Sequence, residues 1–159
     1  MTALQILLVE DEDPKSAHVA NFVLACAPGA IISTAKSVNS ALDALQDASP
    51  DLLLLDMSLP TFDVGDGEAG GRPQGFGGIE VLRHMTYAGI NCPTLVITGY
   101  EAFPREVGKP VDLSQIKIEL ADEFPKLFRG ILHYNSTLDE WKVELRRHLD
   151  ELNIISGNE

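Results

Sequence analysis

Leu52-Leu53-Leu54-Leu55 runs directly into Asp56, and Pro60 stands four residues further on. A short, unbroken apolar run of this kind reads as a strand buried on both faces, as in the interior of a parallel sheet. An aspartate at its C-terminal end then lies at the carboxyl edge of the sheet, where open α/β folds place their ligands. Two further runs repeat the arrangement. Ile6-Leu7-Leu8-Val9 ends in Glu10-Asp11-Glu12-Asp13, and Leu95-Val96-Ile97 ends in Thr98-Gly99. Three buried strands are thus expected to deliver carboxylates, carboxylates and a hydroxyl to one edge.

Between these strands the apolar period changes to that of helices, which points to βαβ units and a parallel sheet. Strands are expected at residues 5–9, 30–35, 52–55, 94–97 and 131–134. Asp13-Pro14 marks the start of a helix that Pro28-Gly29 stops. Ser37 is placed to cap a second helix, in which Val38, Ala41, Leu42 and Leu45 share one face. A short helix is expected over residues 79–87, before Gly89. Asp112 and Gln115 open another in capping-box fashion, with Ile116, Leu120 and Leu127 as its apolar positions and Pro125 as its interruption. The last helix is expected to be capped by Ser136 or Thr137 and to carry Leu138, Trp141, Leu145, Leu149 and Leu152 inward.

At 159 residues the chain is long enough for one domain with a substantial core. A net charge of −12 argues against nucleic acid as a partner, which calls for a basic patch. No apolar run approaches the roughly 18 residues of a membrane span. With no secretory signal, a cytoplasmic location is expected. Cys26 and Cys92 read as small buried hydrophobes. His18, His84, His133 and His148 show no metal-ligand spacing.

The ordered set Val9-Glu10-Asp11-Glu12, Pro50 through Pro60 with its Asp-x-x-Leu-Pro pattern, Gly78-Ile79-Glu80-Val81-Leu82 and Val96-Ile97-Thr98-Gly99 resembles the receiver domains of two-component response regulators. The resemblance spans most of residues 4–152. It implies an α/β fold: a doubly wound, five-stranded parallel sheet of flavodoxin-like order 2-1-3-4-5 with helices on both faces. It also implies that Asp56 is the phosphoacceptor and that Thr98 bonds a phosphoryl oxygen. Mg2+ would be held by Asp11, by Glu10 directly or through water, by Asp56 and by the main-chain carbonyl of Ser58. The chemistry requires such a cation, because the carboxylate and the incoming phosphoryl group are both anionic. Glu12 and Asp13 read instead as helix-start residues. The implied partners are a sensor histidine kinase or phosphotransfer protein as donor and an unidentified output protein. Output would leave through the face of the fourth helix, fifth strand and fifth helix. As only seven residues follow Leu152, a stand-alone receiver is expected, not an enzyme beyond its own phosphorylation and dephosphorylation.

The chain departs from the pattern in several places. Residues 61–77, six of them glycine, form an insertion where receivers have a few residues, and residues 100–129 are long for the fourth helix and its loops. The acids of the insertion lack the spacing of a calcium-binding EF-hand loop. Receivers place a lysine and a proline at the end of the fifth strand; here Tyr134 and Asn135 stand there. Ile131 occupies the place of the strand's switch aromatic. Lys109-Pro110 resembles the missing pair but follows Thr98 too closely for a crossover. The absent lysine keeps open a second reading, a pseudo-receiver that binds proteins without using phosphate. A phosphatase of the haloacid dehalogenase type is disfavoured, since Ser58 stands where that class has its second acid.

Overall fold

The computed structural model describes residues 3–62, 77–100, 102–103 and 111–152. Its elements are β1 (Gln5–Val9), α1 (Asp13–Cys26), β2 (Ile31–Ala35), α2 (Val38–Asp47), β3 (Leu52–Leu55), α3 (Gly77–Ala88), β4 (Thr94–Thr98), β5 (Ala102–Phe103), β6 (Val111–Asp112), α4 (Leu113–Glu123), β7 (Phe128–His133) and α5 (Glu140–Glu151). Five strands form one sheet in the order β2-β1-β3-β4-β7, and every pair in it is parallel. This is the doubly wound order expected from the sequence, with β7 as its fifth strand. The two remaining strands, β5 and β6, pair antiparallel as a separate short ribbon ahead of α4.

Alternation along the strands builds two apolar layers, because successive side chains point to opposite faces. Leu7, Val9, Leu53, Leu55 and Val96 pack against α2, α3 and α4 through Val38, Leu45, Leu82, Met85, Ile116 and Leu120. Ile6, Leu8, Leu52, Leu54, Leu95, Ile97 and Leu132 pack against α1 and α5 through Val19, Val23, Trp141, Leu145 and Leu149. All four leucines of β3 are fully buried.

Local chemistry sets the helix boundaries. The Ser37 hydroxyl accepts from the Ser40 amide, and Ser40 returns the bond to the Ser37 amide, closing a capping box at α2. Asp112 caps α4 by accepting from the Gln115 amide at 2.8 Å. The Gln115 side chain turns to Glu119 instead of reciprocating. That helix ends at Glu123, with Phe124 as its C-cap and Pro125 next, so buried Leu127 belongs to the approach to β7. Gly89, at φ 70°, turns the chain out of α3.

Two further boundaries differ from the expectation. The fifth strand starts at Phe128, three residues earlier than the apolar run implied, because its buried positions alternate through Phe128, Gly130 and Leu132. The last helix starts at Glu140 behind Asp139. Asn135 prevents the earlier start, since its side chain accepts from both the amide and the hydroxyl of Thr137. Leu138 therefore lies outside the helix and is 54% exposed. The insertion at 61–77 falls mainly on residues 63–76, and Lys109 on 104–110, both outside the described residues.

Candidate functional site

The backbone ladder of the sheet continues one residue beyond β1 and β3. The Glu10 amide donates to the Ala35 carbonyl at 2.9 Å, and the Asp56 amide to the Val9 carbonyl at 3.0 Å. Both acids are therefore held by main-chain bonds at the carboxyl edge and not carried on free loops. Glu10 (3% exposed) and Asp56 (5%) are deeply buried, and Asp11 is half-buried. Oxygens of Glu10, Asp11 and Asp56 lie within 4.8 Å of one another. Asp56, Ser58 and Asp11 line a depression of ≈ 330 Å³ that Gly99 and Tyr100 close from the β4 side.

The loop after Asp56 is fixed from behind by α3. The Gly78 amide donates to the Met57 carbonyl at 2.9 Å. A Cβ at Gly78 would lie 2.5 Å from the Asp56 carbonyl oxygen and 3.0 Å from the Met57 Cα, so only glycine permits this approach. The Ser58 amide donates to the Asp56 carboxylate. Thr98 is fully buried at the end of β4. Its hydroxyl oxygen accepts from the Tyr100 amide at 3.1 Å, and a hydroxyl that accepts there can still donate its own proton.

A cation that sequence reasoning missed stands among these acids. Lys15, in the first turn of α1, is 4% exposed. Its ammonium pairs with Glu10 at 2.5 Å and with Asp56 Oδ1 at 3.2 Å, and donates to the Ile97 carbonyl at 2.8 Å. A signal was present: Lys15, Val19 and Val23 are the buried residues of α1 and recur every four positions, so the lysine heads that helix's apolar stripe. Strand alternation places Glu10 and Asp56 on the same side as Ile6, Leu8, Leu52 and Leu54, the side that α1 covers. Lys15 thus descends onto the two acids that face its helix.

Burial and charge oppose each other here. Burial pushes the Glu10 carboxyl up to about 8, against the pull of the Lys15 ammonium. Asp56 is raised by the same cause and restrained by the same neighbour. Burial disfavours the Lys15 ammonium, but Asp56 and Glu10 outweigh it and hold the amine above its ordinary range. Among the described residues one ammonium stands against these three acids. The donor set is all oxygen and open on one side, which fits a hard cation such as Mg2+ that keeps part of its water shell.

Tyr134 follows β7, its amide bonded to the Thr98 carbonyl at 2.7 Å. It therefore occupies the strand-end position read from the sequence. The Lys15 ammonium lies 5.7 Å from the centroid of its ring. The Tyr134 hydroxyl bonds His18 Nδ1 at 2.8 Å, and the rings of His18 and Tyr134 both pack on Trp141, at 5.1 and 5.2 Å. Glu12 forms the N-cap of α1 without a side-chain bond and Asp13 is the helix's first residue, consistent with helix-start roles.

No family model matches the chain. Among curated proteins it is similar to the Detocs response regulatory protein DtcB of Enterobacter cloacae (strain JD6301). The two are 32% identical over 104 residues, covering 64% of this chain and 68% of that protein. The protein of the same name from Vibrio alginolyticus is 32% identical over 123 residues, covering 75% and 80%. Solved structures with the same fold include the phosphorylated cyanobacterial phytochrome response regulator RcpA. That likeness has a TM-score of 0.67 at 16% identity, covering 96% of this chain and 95% of that one. A CheY-like receiver domain from Methylobacillus flagellatus gives 0.60 at 16% identity, covering 95% and 99%.

Proposed function

Because the chain belongs to the response-regulator family and has its receiver fold, we propose that it accepts a phosphoryl group on Asp56 and passes the signal to a partner protein. The donor is the phosphohistidine of a sensor histidine kinase or phosphotransfer protein. The observation that carries this reading is the position of Asp56: buried, main-chain anchored, and within 4.8 Å of the oxygens of Glu10 and Asp11 at an open depression. A turn aspartate with only a structural role would not need two further acids from another strand.

In the transfer, a carboxylate oxygen of Asp56 attacks the phosphorus of the donor. The P–N bond breaks, its electron pair stays on the imidazole, and the ring takes a proton from water. The product is a mixed anhydride on Asp56. Glu10, Asp11, Asp56 and the Ser58 carbonyl are the groups to hold Mg2+, which when bound neutralises the charge shared by carboxylate and phosphoryl group. The Ser58 amide orients the Asp56 carboxylate. Thr98 donates its hydroxyl proton to a phosphoryl oxygen. Receiver relatives are signalling proteins, and the catalysis assigned to this chain is limited to its own phosphorylation and hydrolysis.

A second reading also has an observation in its favour. The Lys15–Asp56 pair satisfies the acceptor carboxylate without any phosphate, as a phosphate-independent binding module would require. Incubation with acetyl phosphate separates the two. Wild type should gain one acid-stable, base-labile phosphoryl group with Mg2+, and none with EDTA or in Asp56→Asn. Labelling that survives Asp56→Asn would sink Asp56 as the acceptor, whereas its absence in wild type at saturating donor and Mg2+ would sink the phosphoacceptor reading in favour of the binding module. No helix among the described residues is long and apolar enough to cross a membrane.

A further inference from the structure

The strand-five position that carries a lysine in the family pattern holds Tyr134 here, yet the acceptor carboxylate has an ammonium beside it. We propose that Lys15, delivered from the first turn of α1, is the cation that contacts the phosphoryl group on Asp56, in place of a lysine from the fifth strand. The proposal rests on the reading of Asp56 as the phosphoacceptor.

Four observations support it. Lys15 Nζ already donates to Asp56 Oδ1 at 3.2 Å. Its third anchor is the Ile97 carbonyl, the residue before Thr98, so the ammonium stands toward the β4 side of the acceptor. It therefore approaches from the side where Tyr134 is fastened to Thr98. The Tyr134 ring faces the ammonium at 5.7 Å, so the side chain that replaces the strand lysine leaves room for a cation and offers it a π-face. Lastly, the lysine is nearly inaccessible to water. A buried ammonium with two carboxylate partners keeps its position with little loss of side-chain entropy on binding an anion, the property of a preorganised electrostatic group.

In the apo chain Lys15 is shared between Glu10 and Asp56. When a phosphoryl group is carried on Asp56, its peripheral oxygens present more negative charge than the carboxylate did. The ammonium follows that charge while remaining protonated; no bond to it is made or broken. Because the Tyr134 ring contacts Lys15 as well as His18 and Trp141, the shift reaches the α1–α5 layer. Trp141, the chain's single tryptophan, reports it.

The test combines variants with a wild-type structure. Lys15→Met should lower the initial rate of phospho-Asp56 formation from acetyl phosphate by about a hundredfold, the loss typical of removing one preorganised donor to a developing oxyanion. Lys15→Met/Tyr134→Lys should recover most of that rate, since it returns the ammonium from the strand side. A purely structural lysine would not be replaced in this way. In crystals of wild type loaded with beryllofluoride and Mg2+, Lys15 Nζ should lie within about 3 Å of a fluorine, hydrogen-bond distance, and loading should change Trp141 emission. That measurement stands even if Lys15→Met fails to fold. A wild-type adduct in which Lys15 remains on Glu10 alone, or a folded Lys15→Met that labels at the wild-type rate, overturns the lysine assignment only. A wild type that forms neither adduct nor phospho-Asp56 overturns the acceptor reading and the proposal with it.

Discussion

Individual residues in this site are constrained by contacts that leave no freedom to move. At Gly78 a methyl group would meet main-chain atoms of Asp56 and Met57 at 2.5 and 3.0 Å, and main chain at the end of a buried strand cannot yield as a flexible side chain can. Gly78→Ala should cost about 1–3 kcal/mol, the range for overpacking, and should displace the Asp56 carboxylate. Gly29→Ala, with nothing within 4 Å, serves as the control and should leave the denaturation midpoint almost unchanged. Cys92 illustrates burial acting on reactivity. It is 2% exposed, and desolvation pushes its thiol up to about 12. At pH 8 the nucleophilic thiolate is therefore scarce, about one molecule in ten thousand. Iodoacetamide should label the partly buried Cys26 and spare Cys92 in the native state. Peptide mass spectrometry before and after unfolding checks this, and native labelling of Cys92 would show local opening around the start of β4.

The elements are held by a few directional bonds at their ends as well as by their apolar faces. Ser37 is fully buried, and both it and Ser40 take part in the capping box of α2. The following two amides are tied to the loop after Asp56: Val38 donates to the Pro60 carbonyl and Asn39 to the Thr61 carbonyl, each at 3.0 Å. Removing the cap hydroxyl frays the helix end that supports that loop. Ser37→Ala should lower stability by about 1–2 kcal/mol, while Ser37→Thr should recover part of the loss. Chemical denaturation measures both. A loss well under half of that range would mean that packing of Val38, Ala41 and Leu45 alone defines the helix start.

Across the whole molecule, charge works against compactness. The net charge is −12, and among the described residues three acids converge at one edge around one buried ammonium. Mg2+ should therefore raise the melting temperature beyond general screening. Sodium chloride should stabilise gradually, as self-repulsion is screened. Mg2+ should stabilise in a saturable way, by about 2.7 kcal/mol at a hundred times its dissociation constant if it binds only the folded chain. Asp11→Asn should abolish the saturable part and leave the salt effect. Equal Mg2+ responses in wild type and Asp11→Asn would count against a specific cation site there.

The four buried leucines before Asp56, the acidic end of β1 and the hydroxyl end of β4 were legible in the sequence. Burial on both faces of a parallel strand erases polar alternation, so such runs announce their own depth and their shared edge. The order β2-β1-β3-β4-β7 followed from the resemblance that those runs carried. The caps of α2 and α4 were legible because capping is a bond between residues three apart. Where a local competitor intervened, as Asn135 does before α5, the boundary was misplaced. The β5–β6 ribbon and the early start of β7 carried too few residues to stand out. Lys15 belongs to the tertiary structure alone. Its helical spacing with Val19 and Val23 marks it as inward-facing, but one turn of helix does not say what lies beneath. Only the packing of α1 onto β1 and β3 brings that ammonium onto Glu10 and Asp56, and a buried charge takes its meaning from the groups that solvate it in place of water.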